Sequence, residues 1–335
     1  MKKYILFLAV LFLLSCKQGV DEGKNKPDSK QPDINQPKPD PAKPDPAKLD
    51  PTQPVQPPEV GLSAGYGTCI IGASGNVTCK AQNLGGDVHV IDGHNAKAVS
   101  VGAYNVCIIT GDDNVKCFKD KYQDTPAPNL GKVKAIAVGH YDACAIKDND
   151  ELQCWKIDSY NADKPFTDLE LPNALKGVTV KSIVAGIDYM CAIKTDDALS
   201  CWNTSGHNAI GDPPNDVSTV KAVAGGESHA CAIKAADNTV ICWGNNNDGK
   251  TTVPNDLGAV KALSIGLGSH SCAIKNDDTV KCWGRNLDGV TTVPNNLDKV
   301  KTLAVGVGHN CAIRISDNRI QCWGSEANYK GLVPG

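Results

Sequence analysis

Aromatic side chains are scarce in this 335-residue chain: 5% of the sequence, as four Phe, five Trp and eight Tyr, with only two Met beside them. A core built on large rings is excluded, and packing falls to Val, Ile, Leu, Ala and Cys. Long apolar runs are missing too. The longest, Tyr4 to Leu14, has 11 residues, well short of the ~20 that a membrane-spanning helix needs. Neither sign of charge dominates, with 34 Lys+Arg against 37 Asp+Glu and a net charge of −3. No basic stripe stands out, so the electrostatic footprint of a nucleic-acid binder is absent. No His-Glu-x-x-His occurs, and no two cysteines stand at the two-to-four-residue spacing common in zinc sites.

What is abundant is cysteine, with 15 residues. In a cytosolic protein that number suggests metal binding; in an exported one it suggests disulfides. The N-terminus points to export. Met1-Lys2-Lys3 is a basic start, the apolar run follows, and it ends in Leu13-Leu14-Ser15-Cys16. That ending resembles a bacterial lipobox, although Leu14 stands where Ala or Ser is more usual. The resemblance implies removal of residues 1–15 and acylation of Cys16, hence a lipid anchor in the bacterial cell envelope. Lys17 in place of Asp points to the outer membrane. An ordinary signal peptide with a chance Cys is the alternative.

Residues 16–58 hold no core. Lys38-Pro39-Asp40-Pro41-Ala42 repeats as Lys43-Pro44-Asp45-Pro46-Ala47, and prolines continue to Pro58. Extended polyproline structure rises ~3.1 Å per residue, so a tether of this length reaches on the order of 100 Å. A proline-recognition ligand is the other role open to such a segment.

Residues 59–335 are periodic. First cysteines fall at Cys69, Cys107, Cys144, Cys191, Cys231, Cys272 and Cys311, at intervals of 38, 37, 47, 40, 41 and 39. Each copy has short Val/Ile/Ala runs divided by Gly, Asn and Asp, too short for helices. A fourth strand is expected near Thr251-Thr252-Val253-Pro254 and Thr291-Thr292-Val293-Pro294. Three or four strands per ~40 residues, seven times over, make an all-β, seven-bladed propeller. Ser269-His270-Ser271-Cys272-Ala273-Ile274-Lys275 followed by Cys282-Trp283-Gly284 resembles the regulator-of-chromosome-condensation repeat. The segments Asn247 to Pro254 and Leu287 to Pro294 are similar to its short bacterial form, as in a propeller β-lactamase inhibitor. The resemblance implies seven blades around a central channel. Copies one and two depart from the pattern, with Lys80 and Phe118 at the Trp position.

The remaining cysteines pair off as 69/79, 107/117, 144/154, 191/201, 231/242, 272/282 and 311/322. Cys79, Cys117, Cys154, Cys201, Cys242, Cys282 and Cys322 thus each face the first Cys of their own copy. Opposed residues of a hairpin lie ~4.5–5.5 Å apart at Cα, which suits a disulfide. Seven cross-strand bridges are expected; free buried thiols and metal ligands are the alternatives. Cys16 is the one left over.

His229, His270 and His309 share one repeat position in adjacent blades, which leaves room for the three to face one channel mouth. A metal site there, or a hydrogen bond from each His to its own loop, are both open. Asp112-Asp113, Asp196-Asp197 and Asp277-Asp278 read as hairpin turns, because they lack the order of a calcium loop. Trp155, Trp202, Trp243, Trp283 and Trp323 read as packing between blades.

These features add up to a non-enzymatic, monomeric protein-binding module, lipid-anchored, without a cofactor or a nucleic-acid partner. The copy-three insertion, with Tyr160 and Phe166, breaks the symmetry and is the expected contact. Alternatives are an inhibitor of an exported enzyme such as a β-lactamase, and a lyase or hydrolase with its site at the channel mouth.

Overall fold

The computed structural model describes residues 61–81, 88–119, 123–125, 127–157, 166–205, 210–215 and 217–332. Residues 1–15, Cys16 with the rest of the Pro-rich stretch 16–58, and Tyr160 lie outside those residues.

The described residues form seven antiparallel sheets, each made from consecutive strands. Blade one holds β1 (Gly61–Ala64), β2 (Gly67–Ile71), β3 (Val77–Ala81) and β4 (Val88–Ile91). Blade two holds β5 (Ala98–Val101), β6 (Val106–Ile109), β7 (Val115–Lys119) and β8 (Gln123–Thr125). Blade three holds β9 (Val133–Val138), β10 (Asp142–Lys147), β11 (Leu152–Lys156) and β12 (Thr167–Asp168). Blade four is β13 (Val180–Ala185), β14 (Tyr189–Lys194) and β15 (Leu199–Asn203), and blade five is β16 (Val220–Gly225), β17 (His229–Lys234) and β18 (Val240–Gly244). Blade six is β19 (Val260–Ile265), β20 (His270–Lys275) and β21 (Val280–Gly284), and blade seven is β22 (Val300–Val305), β23 (His309–Arg314) and β24 (Ile320–Gly324).

The first strands form an inner ring in the order β1, β5, β9, β13, β16, β19, β22, and β22 returns to β1. This is the seven-bladed propeller that the repeat count predicts. Among the described residues, blades one and seven exchange no strand. Closure is lateral, and the Val307 amide donates to the Gly65 carbonyl at 3.0 Å across the joint.

Burial is concentrated between blades. One apolar cluster holds Cys191 and Ile193 of blade four with Val223 and Trp243 of blade five. The next holds Cys231 and Ile233 with Leu263 and Trp283, and the next holds Cys272 and Ile274 with Leu303 and Trp323. Aliphatic alternation on each strand therefore packs one sheet's face on its neighbour's. The hairpin turns add a polar link. Asp113, Asp150, Asp197 and Asp278 adopt φ of 70°, 70°, 72° and 70°, a left-handed conformation that Asp and Asn tolerate better than most residues. Their carbonyls then accept from Val133, Val180, Val220 and Val300 of the next blade at 2.8–3.0 Å.

The expected fourth strand is present in blades one to three, but none forms at Thr251–Pro254 or Thr291–Pro294. Asn246 explains the difference. Its Oδ1 accepts from the Thr251 amide at 3.0 Å, and its Nδ2 donates to Thr252 Oγ1 at 3.1 Å. The chain curls into a 3-10 turn (Asn247–Gly249), and Pro254 lacks the amide that a ladder requires. Asn286, Thr291 and Thr292 repeat the arrangement.

Candidate functional site: the channel mouth

In every hairpin the two cysteines stand directly opposite, as in Cys231↔Cys242. All seven pairs are bonded, with Cα atoms 4.0 Å apart. Each bridge ties the middle strand of a blade to the next one out.

The three histidines neither face a channel mouth together nor bond their own loops through Nε2. Each opens the second strand of its blade and is buried against the following blade. His229 Nε2 meets Ser271 Oγ at 2.9 Å, His270 Nε2 meets Asn310 Oδ1 at 2.8 Å, and His309 Nε2 meets Thr68 Oγ1. The partner always precedes the first Cys of the next blade. In blade four Tyr189 takes the same position and donates its hydroxyl to the His229 carbonyl at 2.6 Å. These are latches between blades. Burial pushes His229 down to about 3 and His309 to about 4, and lowers His270 as well, so all three are neutral at pH 7. Gly226 and Gly306 make room for the rings: a Cβ there would lie 2.7 Å and 2.2 Å from the imidazoles of His229 and His309. Among the described residues no group of three His, Cys, Asp or Glu is placed to hold a metal.

The tryptophans also join blades. Trp283 Nε1 donates to the Lys250 carbonyl and Trp323 Nε1 to the Val290 carbonyl, both at 3.0 Å. Phe166 is half-buried against the cluster of Leu130, Trp155 and Ile157.

Two stretches carry the residue order of catalytic motifs. Gly61-Leu62-Ser63-Ala64-Gly65 has that of a nucleophile elbow, but Ser63 sits inside β1 on the channel wall, not on a strand-to-helix turn. Gly244 to Thr251 has the spacing of a phosphate loop, with Lys250 at the lysine position. No helix follows it. Lys250 is buried, its Nζ donates to Ser228 Oγ at 3.0 Å, and its carbonyl serves Trp283. Both stretches are architectural.

The channel has a cavity volume of about 90 Å³, far below the roughly 300–1,000 Å³ of small-molecule sites. Ser100 Oγ and Ser264 Oγ on its wall accept from the Val138 and Val305 amides, each at 3.1 Å. The channel is thus narrow, and these two wall hydroxyls are already engaged by backbone amides.

On one face lie the hairpin turns, where Lys97, Lys134, Lys181 and Lys261 pair with Asp113, Asp150, Asp197 and Asp278 of their own blades. On the other face lie the loops between the first and second strands, around the channel mouth. Blade one presents Tyr66 there, blade two Tyr104, blade three His140 and Tyr141, blade four Asp188 and blade five Glu227. The His140 ring stacks on Tyr141 with centroids 3.8 Å apart and lies 5.0 Å from Tyr104. Tyr104 and Tyr141 are 6.3 Å apart. Burial raises the Tyr66 phenol, with Glu227 and Tyr104 adding to the rise. Burial holds His140 below the ordinary imidazole range, partly offset by the Asp188 carboxylate. Backbone bonds join these loops: Ala103 N to Gly139 O and His140 N to Ile187 O, both at 3.3 Å.

Residues 220–250 and 260–290, in blades five and six, match the model of the Regulator of chromosome condensation (RCC1) repeat. Those two stretches are RCC1-type repeats. No curated protein matches the chain. Solved propellers do. The ectodomain of the Physcomitrella patens receptor kinase CR4 is 20% identical with a TM-score of 0.61, over 79% of this chain and 73% of that one. Human WBSCR16 is 16% identical with a TM-score of 0.61, over 83% and 88%. Prp20p from Saccharomyces cerevisiae, described with its binding to Gsp1p and histones, is 17% identical with a TM-score of 0.56, over 71% and 74%. At these identities the likeness establishes the RCC1-like propeller fold. That fold is compatible with a protein-interaction module.

Proposed function

We propose that this chain is a non-enzymatic, lipid-tethered, extracytoplasmic protein-binding module whose partner docks on the channel-mouth face. The asymmetry of the two faces carries this reading. Four turn-face aspartates pair with lysines of their own blades, whereas the mouth gathers aromatic rings beside carboxylates on linked loops. Aromatic residues on a rigid frame are the usual anchors of protein interfaces. Seven disulfides suit an oxidising compartment, in keeping with export and with lipidation at Cys16. The partners of Prp20p support a protein ligand by fold analogy.

The test is a pull-down from solubilised native membranes. It compares the full chain with a Tyr66→Ala/Tyr104→Ala variant and a Lys134→Ala/Lys181→Ala variant. The mouth pair is expected to lose the partner and the turn-face pair to keep it; the opposite pattern overturns the reading.

A further inference from the structure

We infer that the channel mouth receives a basic side chain of the partner protein, with arginine the better match, between Tyr66 and Tyr104 and facing the carboxylates of Glu227 and Asp188. This rests on the mouth being the binding face and names what it recognises.

The seven mouth loops divide by chemistry. Blades one to three supply Tyr66, Tyr104, His140 and Tyr141; blades four and five supply Asp188 and Glu227; blades six and seven supply only Leu, Val, Gly and Ser. The chain has 34 Lys+Arg, yet none lies in these loops. Lys250 meets the blade-five loop through Ser228 Oγ, at 3.0 Å from its Nζ, and Lys156 and Arg285 reach the same face only from the outer ends of β11 and β21. Asp188 and Glu227 have no ion-pair partner among the described residues, unlike Asp113, Asp150, Asp197 and Asp278 on the turn face.

Rings with negative faces and unpaired carboxylates together attract a cation. Glu227 is exposed and the tyrosines are half-buried, so a side chain arriving from solvent reaches both. The stacked set of Tyr104, His140 and Tyr141 presents flat faces with interplanar angles of 23–32°. A guanidinium stacks on such faces while donating sideways to carboxylates, which an ammonium cannot do. The channel cavity of about 90 Å³ below is small beside the roughly 300–1,000 Å³ of small-molecule sites.

The experiment titrates the full chain with the peptide Gly-Gly-Arg-Gly-Gly and with its citrulline counterpart, which keeps the shape and removes the charge. Binding is followed through the ¹³C-labelled tyrosine rings by NMR. The arginine peptide should shift the Tyr66 and Tyr104 signals and bind roughly tenfold tighter than the citrulline peptide. Glu227→Gln, an exposed substitution that leaves the fold alone, should remove most of that difference, and Lys134→Ala should not. Equal binding of the two peptides, or an arginine preference untouched by Glu227→Gln, overturns the inference. A partner captured through the mouth in the pull-down but indifferent to Glu227→Gln would sink the cation assignment and leave the binding face standing. Capture lost only on turn-face substitution would sink both.

Discussion

Lys80 Nζ donates to the Lys330 carbonyl at 2.5 Å. Lys80 follows Cys79, where later blades have Trp, and Lys330 takes the place of Lys250 and Val290. The ammonium therefore makes, at the joint between the last and first blades, the bond that an indole makes elsewhere. The lost aromatic volume is partly restored by Tyr329, which packs on the cluster of Leu62, Cys311 and Ile313. What reads as a degenerate copy is an adapted closure.

Lys80→Met should destabilise the ring by about 1 kcal/mol, the worth of one partly solvated hydrogen bond, while Lys80→Trp should stay near wild type. Guanidinium unfolding midpoints of the mature chain decide between them.

The His270–Asn310 latch should show energetic coupling. His270→Ala and Asn310→Ala should each cost about 2 kcal/mol, because each strands a buried partner, and the double variant should cost less than the sum by about 1 kcal/mol. Additive costs would mean that the 2.8 Å contact contributes nothing.

Stability should fall in mild acid. His229 and His309 have folded values of about 3 and about 4, below the unfolded value of ~6.5. Below pH 6.5 the unfolded chain binds more protons, so their contribution is complete above that pH. It is lost as pH falls towards 4, by up to about 1.4 kcal/mol per unit for each histidine. Thermal scans at pH 7.5, 6 and 5 should show a monotonic decline that a His229→Gln/His309→Gln variant flattens.

Thiol counting checks the bridges. The unreduced chain, denatured, should release at most one thiol, that of Cys16 when unacylated, and Cys16→Ser should abolish palmitate labelling. Removing one bridge, as in Cys231→Ser/Cys242→Ser, should cost about 2 kcal/mol, because each closes only a short local loop.

Much of the frame was legible from spacing. Cysteines ten or eleven apart marked hairpins, and seven of them marked blades. The histidines misled because a repeat position gives a strand register and not the direction of a side chain; the imidazoles turn sideways, where Ser271, Asn310 and Thr68 meet them. Thr-Thr-Val-Pro has strand composition, but Asn246 and Asn286 capture the backbone first. The mouth went unread because Tyr66, Tyr104, Tyr141, Asp188 and Glu227 differ in type and lie a blade apart. Aligning the residues between each mouth glycine and the polar residue opening the next strand would have exposed the aromatic-to-acidic gradient.

The central claim is that partners meet the mouth. A photo-crosslinking residue at position 104 on the mouth, or at position 134 on the turn face, tests it in intact cells carrying the full chain. A discrete protein adduct from position 104 and none from position 134 is the predicted result. An adduct from position 134 alone would contradict it.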